Sequence, residues 1–310
     1  MTVTQPYDYG ALVVRLRATD ETVDALKRKQ GRISAFMGNA VHQALHGSIS
    51  TDAAAELHDP AISAQPFATS TLFRWRLDMP LQGRITAGDM GWVRFVGLHP
   101  YVMRELEAFR QTYPRTIEID RVPWKVMGCN WHSHLYAGRC DAAYCQHYHH
   151  DLAPPRLIRL RFLTPTYFKS RGIEPYLTPE PRLVFAEGLL RRWESFYPQS
   201  PPPPGYAKFV ERHVHLHSQT GYMTTTVMLK GAVMRGFTSD AIYTIEPPPQ
   251  PDLDFPACAR FLAVMAEYAT YAGVGKKTTM GLGMVDRVRI VRLNRPHTVM
   301  LYPGLNRILA

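Results

Sequence analysis

The sequence predicts an α+β protein made of two successive β-α-β-β-α-β units. Three observations carry this. Alternating apolar runs and apolar residues repeating every three or four positions follow one another in that order between residues 12 and 120, and again between residues 158 and 290. Proline-rich stretches, Pro201-Pro202-Pro203-Pro204 and the loop at residues 247–251, fall where the second unit needs connections rather than elements. The 310 residues suffice for two domains of ordinary size or one large one, and the 45% hydrophobic content allows a proper core.

Leu12-Val13-Val14-Arg15-Leu16-Arg17 reads as the first strand, and Asp20 as the cap of a helix over residues 21–30. Gly31 interrupts. In the helical run that follows, Met37, Val41, Leu45 and Ile49 recur every four residues as a buried stripe. Residues 67–77 and 92–98 have strand propensity. Pro100 opens a helix with Val102, Leu106, Phe109 and Tyr113 inward, and Thr116-Ile117-Glu118-Ile119-Asp120 alternates as a closing strand.

In the second unit, Ile158, Leu160 and Phe162 alternate with Arg159 and Arg161, giving a strand with one apolar and one basic face. A helix from about Leu183, with Ala186, Leu189, Leu190, Trp193 and Phe196 inward, stops before Pro198. The four prolines form a stiff surface connection. Residues 209–216 and 222–229 read as a hairpin around Ser218-Gln219-Thr220-Gly221, followed by a helix over 256–271, a glycine-rich stretch and a last strand. Two successive split units of this kind are the ferredoxin-like, RNA-recognition-motif-like pattern in tandem. The expected division is a domain over 1–125, a Cys/His-rich connecting segment over 126–153, and a second domain over 154–310 that carries a C-terminal glycine-rich loop.

Charge narrows the partners. Lys and Arg number 36 against 26 Asp and Glu, a net +10, which favours a nucleic-acid partner. No apolar run approaches the length of a membrane span and the first residues lack a signal-peptide core, so the expectation is a soluble, cytoplasmic protein without a membrane partner. Cys129, Cys140, Cys145 and Cys258 are then expected to be reduced.

The glycine-rich stretch is Ala272-Gly273-Val274-Gly275-Lys276-Lys277-Thr278-Thr279-Met280-Gly281-Leu282-Gly283-Met284. Its exposed backbone N–H groups and adjacent lysines suit an anionic ligand. It is not a P-loop, since Thr270 and Lys277 stand at defining positions and the helix comes before the loop. It is not a dinucleotide fingerprint either, since Thr278 replaces the third glycine. As a polyanion cradle, Gly273, Gly275, Lys276, Lys277, Thr278, Thr279, Gly281 and Gly283 would hold backbone phosphates. Arg159, Arg161, Arg191, Arg192, Arg287, Arg289 and Arg292 would supply further charge, although some of these arginines must be ordinary surface. The nearest fragment to an aromatic RNA-recognition strand, Arg235-Gly236-Phe237, continues as Thr238-Ser239 and does not match, so base stacking on a sheet is not expected.

Several runs together resemble one family. They are Phe162-Leu163-Thr164-Pro165-Thr166, Leu183-Val184-Phe185, Leu190-Arg191-Arg192-Trp193, and the run from Glu267 through the glycine-rich stretch to Gly283. Looser matches lie at Gly38-Asn39-Ala40-Val41-His42, Leu57-His58-Asp59 and Gln65-Pro66-Phe67. The chain resembles the CRISPR-associated (Cas) endoribonucleases that process repeat RNA, the family numbered six within the RAMP superfamily. The resemblance implies a metal-independent cut needing no cofactor, in which the RNA's 2′-hydroxyl attacks the adjacent phosphate and leaves 2′,3′-cyclic phosphate and 5′-hydroxyl ends. The implied partners are CRISPR repeat RNA, the precursor of guide RNA, and a CRISPR effector complex; the chain would act as a monomer or homodimer.

Such chemistry needs a base for the 2′ proton, an acid for the leaving 5′ oxygen, and a charged or hydrogen-bonding group for the phosphorane. Histidine suits the first two, because its ordinary pKa of about 6.5 leaves both protonation states populated near neutrality. His42 and His46, four residues apart, share a helix face, with Gly38 one turn earlier opening space above them. The resemblance places the catalytic histidine in this helix and points to His42, with His46 as partner acid or substrate contact. The plainer alternative is two surface histidines. A zinc-protease reading fails because Gln43, not glutamate, follows His42.

One departure from the family is plain. Its pattern adds an upstream tyrosine and a downstream lysine, yet no tyrosine lies between Tyr9 and Tyr101 and no lysine between Lys29 and Lys125. Lys27, Lys29 and Arg32 remain as candidates to stabilise the phosphate. A separate cluster, Cys129, His132, His134, Cys140, Cys145, His147, His149 and His150, holds enough ligands for a zinc site, with a histidine-rich loop as the default reading. His213, His215 and His217 are read as one face of a strand. The alternatives to the enzyme are a non-cleaving RAMP-type guide-RNA-binding subunit and a zinc-stabilised RNA-binding module.

Overall fold

The computed structural model describes residues 7–29, 32–34, 36–50, 64–169, 177–229, 232–248, 254–286, 288–292 and 299–300. They divide into two units, Met1–Arg139 with Lys277–Leu282, and Cys140–Lys276 with Gly283–Tyr302. Among the described residues no helix is long and apolar enough to cross a membrane.

The first unit opens with β1 (Tyr9–Arg17) and α1 (Asp20–Arg28). Thr19, not Asp20, caps α1: its hydroxyl accepts from the Thr22 amide while the Thr22 hydroxyl accepts from the Thr19 amide, and Asp20 and Glu21 occupy the first turn. Then come β2 (Arg32–Ile33), α2 (Gly38–His46), β3 (Phe67–Thr69), β4 (Phe73–Arg74), β5 (Gly83–Arg84), β6 (Met90–Gly97), α3 (Pro100–Thr112), β7 (Thr116–Ile119), β8 (Val122–Asn130) and β9 (Gly138–Cys140). The main sheet runs β3-β6-β1-β8-β7, so the ferredoxin-like strand order is present with β8 as its fourth strand.

This corrects the expectation for Thr116–Ile119. That run alternates as anticipated, but it turns back through Asp120 and Arg121, both with φ between 54° and 58°, into β8, which takes the central place beside β1. Leu12, Val14 and Leu16 on β1 bury one face against Val41 and Leu45 of α2 and Val102, Leu106 and Phe109 of α3. Met37 and Ile49 pack at the margin of that core, as the stripe predicted.

The second unit contains α4 (Ala142–His150), β10 (Pro155–Thr166), a wide π-type turn (Arg182–Gly188) that runs on into α5 (Leu189–Phe196), α6 (Tyr206–His213), β11 (Val214–Leu229), β12 (Ala232–Ile245), α7 (Asp254–Ala272), β13 (Arg289–Arg292) and β14 (Val299–Met300). Its sheet, β11-β12-β10-β13-β14, repeats the ferredoxin-like order with one added edge strand. Trp193, Tyr197, Tyr206, Phe261 and Tyr268 meet edge to face beneath it.

The expected hairpin at residues 218–221 is absent. β11 runs straight through that stretch, and the turn signal is spent on a register shift between Thr220 and Met223, where Gly221 sits at φ 60°. Residues 209–213 are helical, so His213 ends α6 and only His215 and His217 lie on the strand.

Candidate active site

α2 places both histidines. His42 is 6% exposed and His46 is half-buried, and their rings stand 4.6 Å apart, with Phe67 of β3 within 5.6 Å of each. His42 Nδ1 lies 2.9 Å from the backbone oxygen of Thr279, which also accepts from the Thr69 hydroxyl at 2.8 Å. A carbonyl only accepts. Nδ1 therefore carries the hydrogen, and the neutral ring keeps its lone pair on Nε2.

The partner comes from far along the chain, 237 residues away, on the segment Lys277–Leu282 that belongs to the first unit. A 3-10 turn, Thr278–Met280, bounded by Lys277 at φ 60° and Gly281 at φ 77°, aims the Thr279 carbonyl at α2. The fit is close at two glycines. A Cβ on Gly38 would stand 1.9 Å from the Met280 oxygen, and one on Gly281 would stand 2.9 Å from the Ser70 carbonyl carbon and 3.0 Å from Gly38 Cα. The space above Gly38, expected to be open, is filled by Met280.

Two of the three basic candidates upstream are engaged elsewhere. Lys27 pairs with Asp24 at 2.9 Å on an exposed face, and Lys29 pairs with Asp120 at 3.1 Å. Arg32 lies on β2, opposite Arg84. None of the described hydrogen bonds or ion pairs joins Lys27 or Lys29 to the histidines.

In the second unit the structure sorts the other candidates. Lys276 is exposed at the end of a turn in which its amide donates to the Tyr167 oxygen at 3.0 Å. Partial burial, then the charges of Arg191, Arg192 and Lys169, depress its pKa, which marks a concentration of positive charge. Arg192 is buried, and its guanidinium donates to the carbonyls of Ala272 at 2.6 Å and Gly273 at 3.3 Å, closing the C-terminus of α7. Arg159 pairs with Asp240 at 2.8 Å and Arg161 with Asp286 at 3.6 Å. Arg289 is exposed on β13. Gly273, Gly275 and Gly283 all have positive φ, with Gly275 against the Tyr167 carbonyl and Gly283 against that of Val274. Arg287 and the stretch Leu57-His58-Asp59 lie outside the described residues.

Of the Cys/His cluster only Cys145 and His149 come together, and they meet Glu267, which the sequence did not single out. The three ligand atoms lie within 4.8 Å of one another. The Arg292 guanidinium donates to His149 Nδ1 at 2.6 Å, so Nε2 carries the ring hydrogen and donates it to Glu267 at 2.8 Å. With no lone pair on Nε2 and a fixed cation at the other nitrogen, this donor set suits an Arg–His–Glu clamp tying α4, α7 and β13 better than a divalent ion. Cys129 is elsewhere, and burial pushes its thiol up to about 12.

The two sheets define an α+β protein of tandem ferredoxin-like units. Residues 160–285 match the family model described as CRISPR-associated endoribonuclease Cas6. A CRISPR-associated endoribonuclease Cas6 of Mycobacterium tuberculosis is 29% identical over 130 residues, 42% of this chain. The matched part is 38% of that relative's length. Among solved structures, a Cas6 product complex has a TM-score of 0.64 at 23% identity, covering 90% of this chain and 98% of that one. A Thermus thermophilus Cas6 has a TM-score of 0.61 at 18% identity, covering 91% and 99%. At these identities the superpositions establish the fold.

Proposed function

We propose that this chain is a metal-independent endoribonuclease that binds CRISPR repeat RNA and cuts precursor transcripts into guide RNAs by attack of the 2′-hydroxyl on the adjacent phosphate. The observation that supports the reading is the His42–Thr279 hydrogen bond, which holds the ring through Nδ1 and would make Nε2 the proton acceptor. His42 Nε2 takes the 2′ proton. His46, its ring 4.6 Å away, would protonate the leaving 5′ oxygen or contact the substrate. Atoms balance without an added reactant: the O–P bond to the 2′ oxygen forms as the bond to the 5′ oxygen breaks, leaving a 2′,3′-cyclic phosphate and a 5′-hydroxyl. The cationic ground around Lys276, with Arg191 and Lys277, would hold the RNA backbone.

The test is cleavage of labelled repeat RNA in EDTA by wild type, His42→Ala and His46→Ala, with a 2′-deoxy substrate as control. One cut that survives EDTA and is lost with His42→Ala or 2′-deoxy substitution is the expected result, a drop of about 10²-fold or more. A second reading, a guide-RNA-binding subunit that does not cut, is favoured by the 6% exposure of His42. Tight binding without any product would establish it and overturn the first.

A further inference from the structure

The outer face of the first unit's sheet carries an aromatic stack that the histidine site does not use. Phe73, Trp92 and Tyr136 lie face on face, with centroids 4.6 and 5.1 Å apart and interplanar angles of 14° and 13°. The chain after β4 folds back over this stack in a tight turn. The Arg74 amide donates to the Met79 oxygen at 2.9 Å, and Arg76 takes φ 64°. Two further bonds pin the turn: the Trp75 amide donates to the Met90 oxygen at 3.0 Å and the Tyr136 hydroxyl to Asp78 at 2.5 Å.

The result is a fixed, half-buried indole at Trp75. The Arg15 guanidinium carbon stands 5.5 Å from its centroid and the His134 ring 5.2 Å. His134, in the connection between β8 and β9, packs on Trp92 at 4.7 Å, and Arg15 lies opposite Trp92 in the sheet register. Arg74 and Arg76, beside Trp75 in the chain, are exposed. The one carboxylate of the turn, Asp78, is occupied by Tyr136.

A rigid aromatic ring among arginines is the combination that binds unpaired nucleotides, the ring taking a base face and the guanidinium groups the phosphates. We propose that Trp75, supported by Arg15 and His134, is a stacking platform for an unpaired base of the bound RNA, at a site distinct from the His42 pair. The inference rests on the RNA-binding reading above.

The test is a thermodynamic cycle using fluorescein-labelled repeat RNA with 2′-deoxy at the cut site, so that binding is read without cleavage. Wild type and Trp75→Ala are titrated with the intact RNA and with a set of RNAs each abasic at one position, and Trp75→Phe serves as the conservative variant. Trp75→Ala is expected to weaken binding roughly five- to hundred-fold, with Trp75→Phe close to wild type. One abasic position should weaken wild type by a similar factor and leave Trp75→Ala unaffected. Equal affinities for wild type and Trp75→Ala, or equal abasic sensitivity of the two at every position, would overturn the platform while leaving RNA binding intact. Absence of RNA binding by wild type would overturn both the platform and the reading beneath it.

Discussion

At the scale of single residues, the side chains that matter are held by partners of fixed polarity. Glu107 is the clearest titrating case. Its carboxylate accepts from Arg110 at 2.5 Å, from Trp131 at 2.7 Å and from Gln111 at 3.2 Å. The hydrogen bond from Arg110 above all lowers its pKa from 4.5 to about 2. A carboxylate depressed on folding adds stability that is whole above about pH 4.5 and is lost as the pH falls towards 2. Glu107→Gln is therefore expected to melt lower than wild type at pH 7, with the two melting curves converging as the pH is taken from 4.5 to 2. A constant difference across that range would show that the carboxylate's charge is not what stabilises. The residue scale is also where the reach of the sequence can be judged. That His42 and His46 share one helix face was legible from their spacing, whereas the open space expected above Gly38 is filled by Met280. The Thr279 carbonyl that orients His42 was not legible, because a backbone oxygen has no signature in the sequence and stands 237 residues away.

At the scale of elements, close approach governs. The N-terminus of α2 and the turn Thr278–Met280 meet at Gly38 with no room for a methyl group. Gly38→Ala is expected to cost about 1–3 kcal/mol, the range for overpacking, and to reduce cleavage by moving Thr279 away from His42. Gly47, at the other end of α2, has φ −72°, and its nearest neighbours to an added Cβ are at 3.6 and 3.9 Å. Gly47→Ala should be neutral or slightly stabilising in the same thermal melts. Equal losses for both variants would mean that α2 is simply intolerant of change. Element order was largely readable because burial imposes its period on β1, α2, α3 and β10. The errors share one physical cause, which is that local signals were overruled by pairing across the sheet. Pro123 and the Cys/His content after it disguised β8, which is held by its register with β1. The Ser218 to Gly221 turn signal became an irregularity within β11 because β12 pairs on both sides of it.

At the scale of the whole molecule, the net charge of +10 sets the expected energetics of the proposed RNA binding. Lys276→Ala should weaken binding to all RNA sequences alike and reduce the slope of log affinity against log salt by about 1. A sequence-selective loss would mean that Lys276 reads bases rather than phosphates. One further property of the chain follows from the segment Lys277–Leu282. Because it belongs to the first unit but is encoded after nearly all of the second, a ribosome must finish most of the second unit before His42 can find its carbonyl partner. A nascent chain stalled anywhere before residue 279 thus carries the histidine pair without the carbonyl that orients His42.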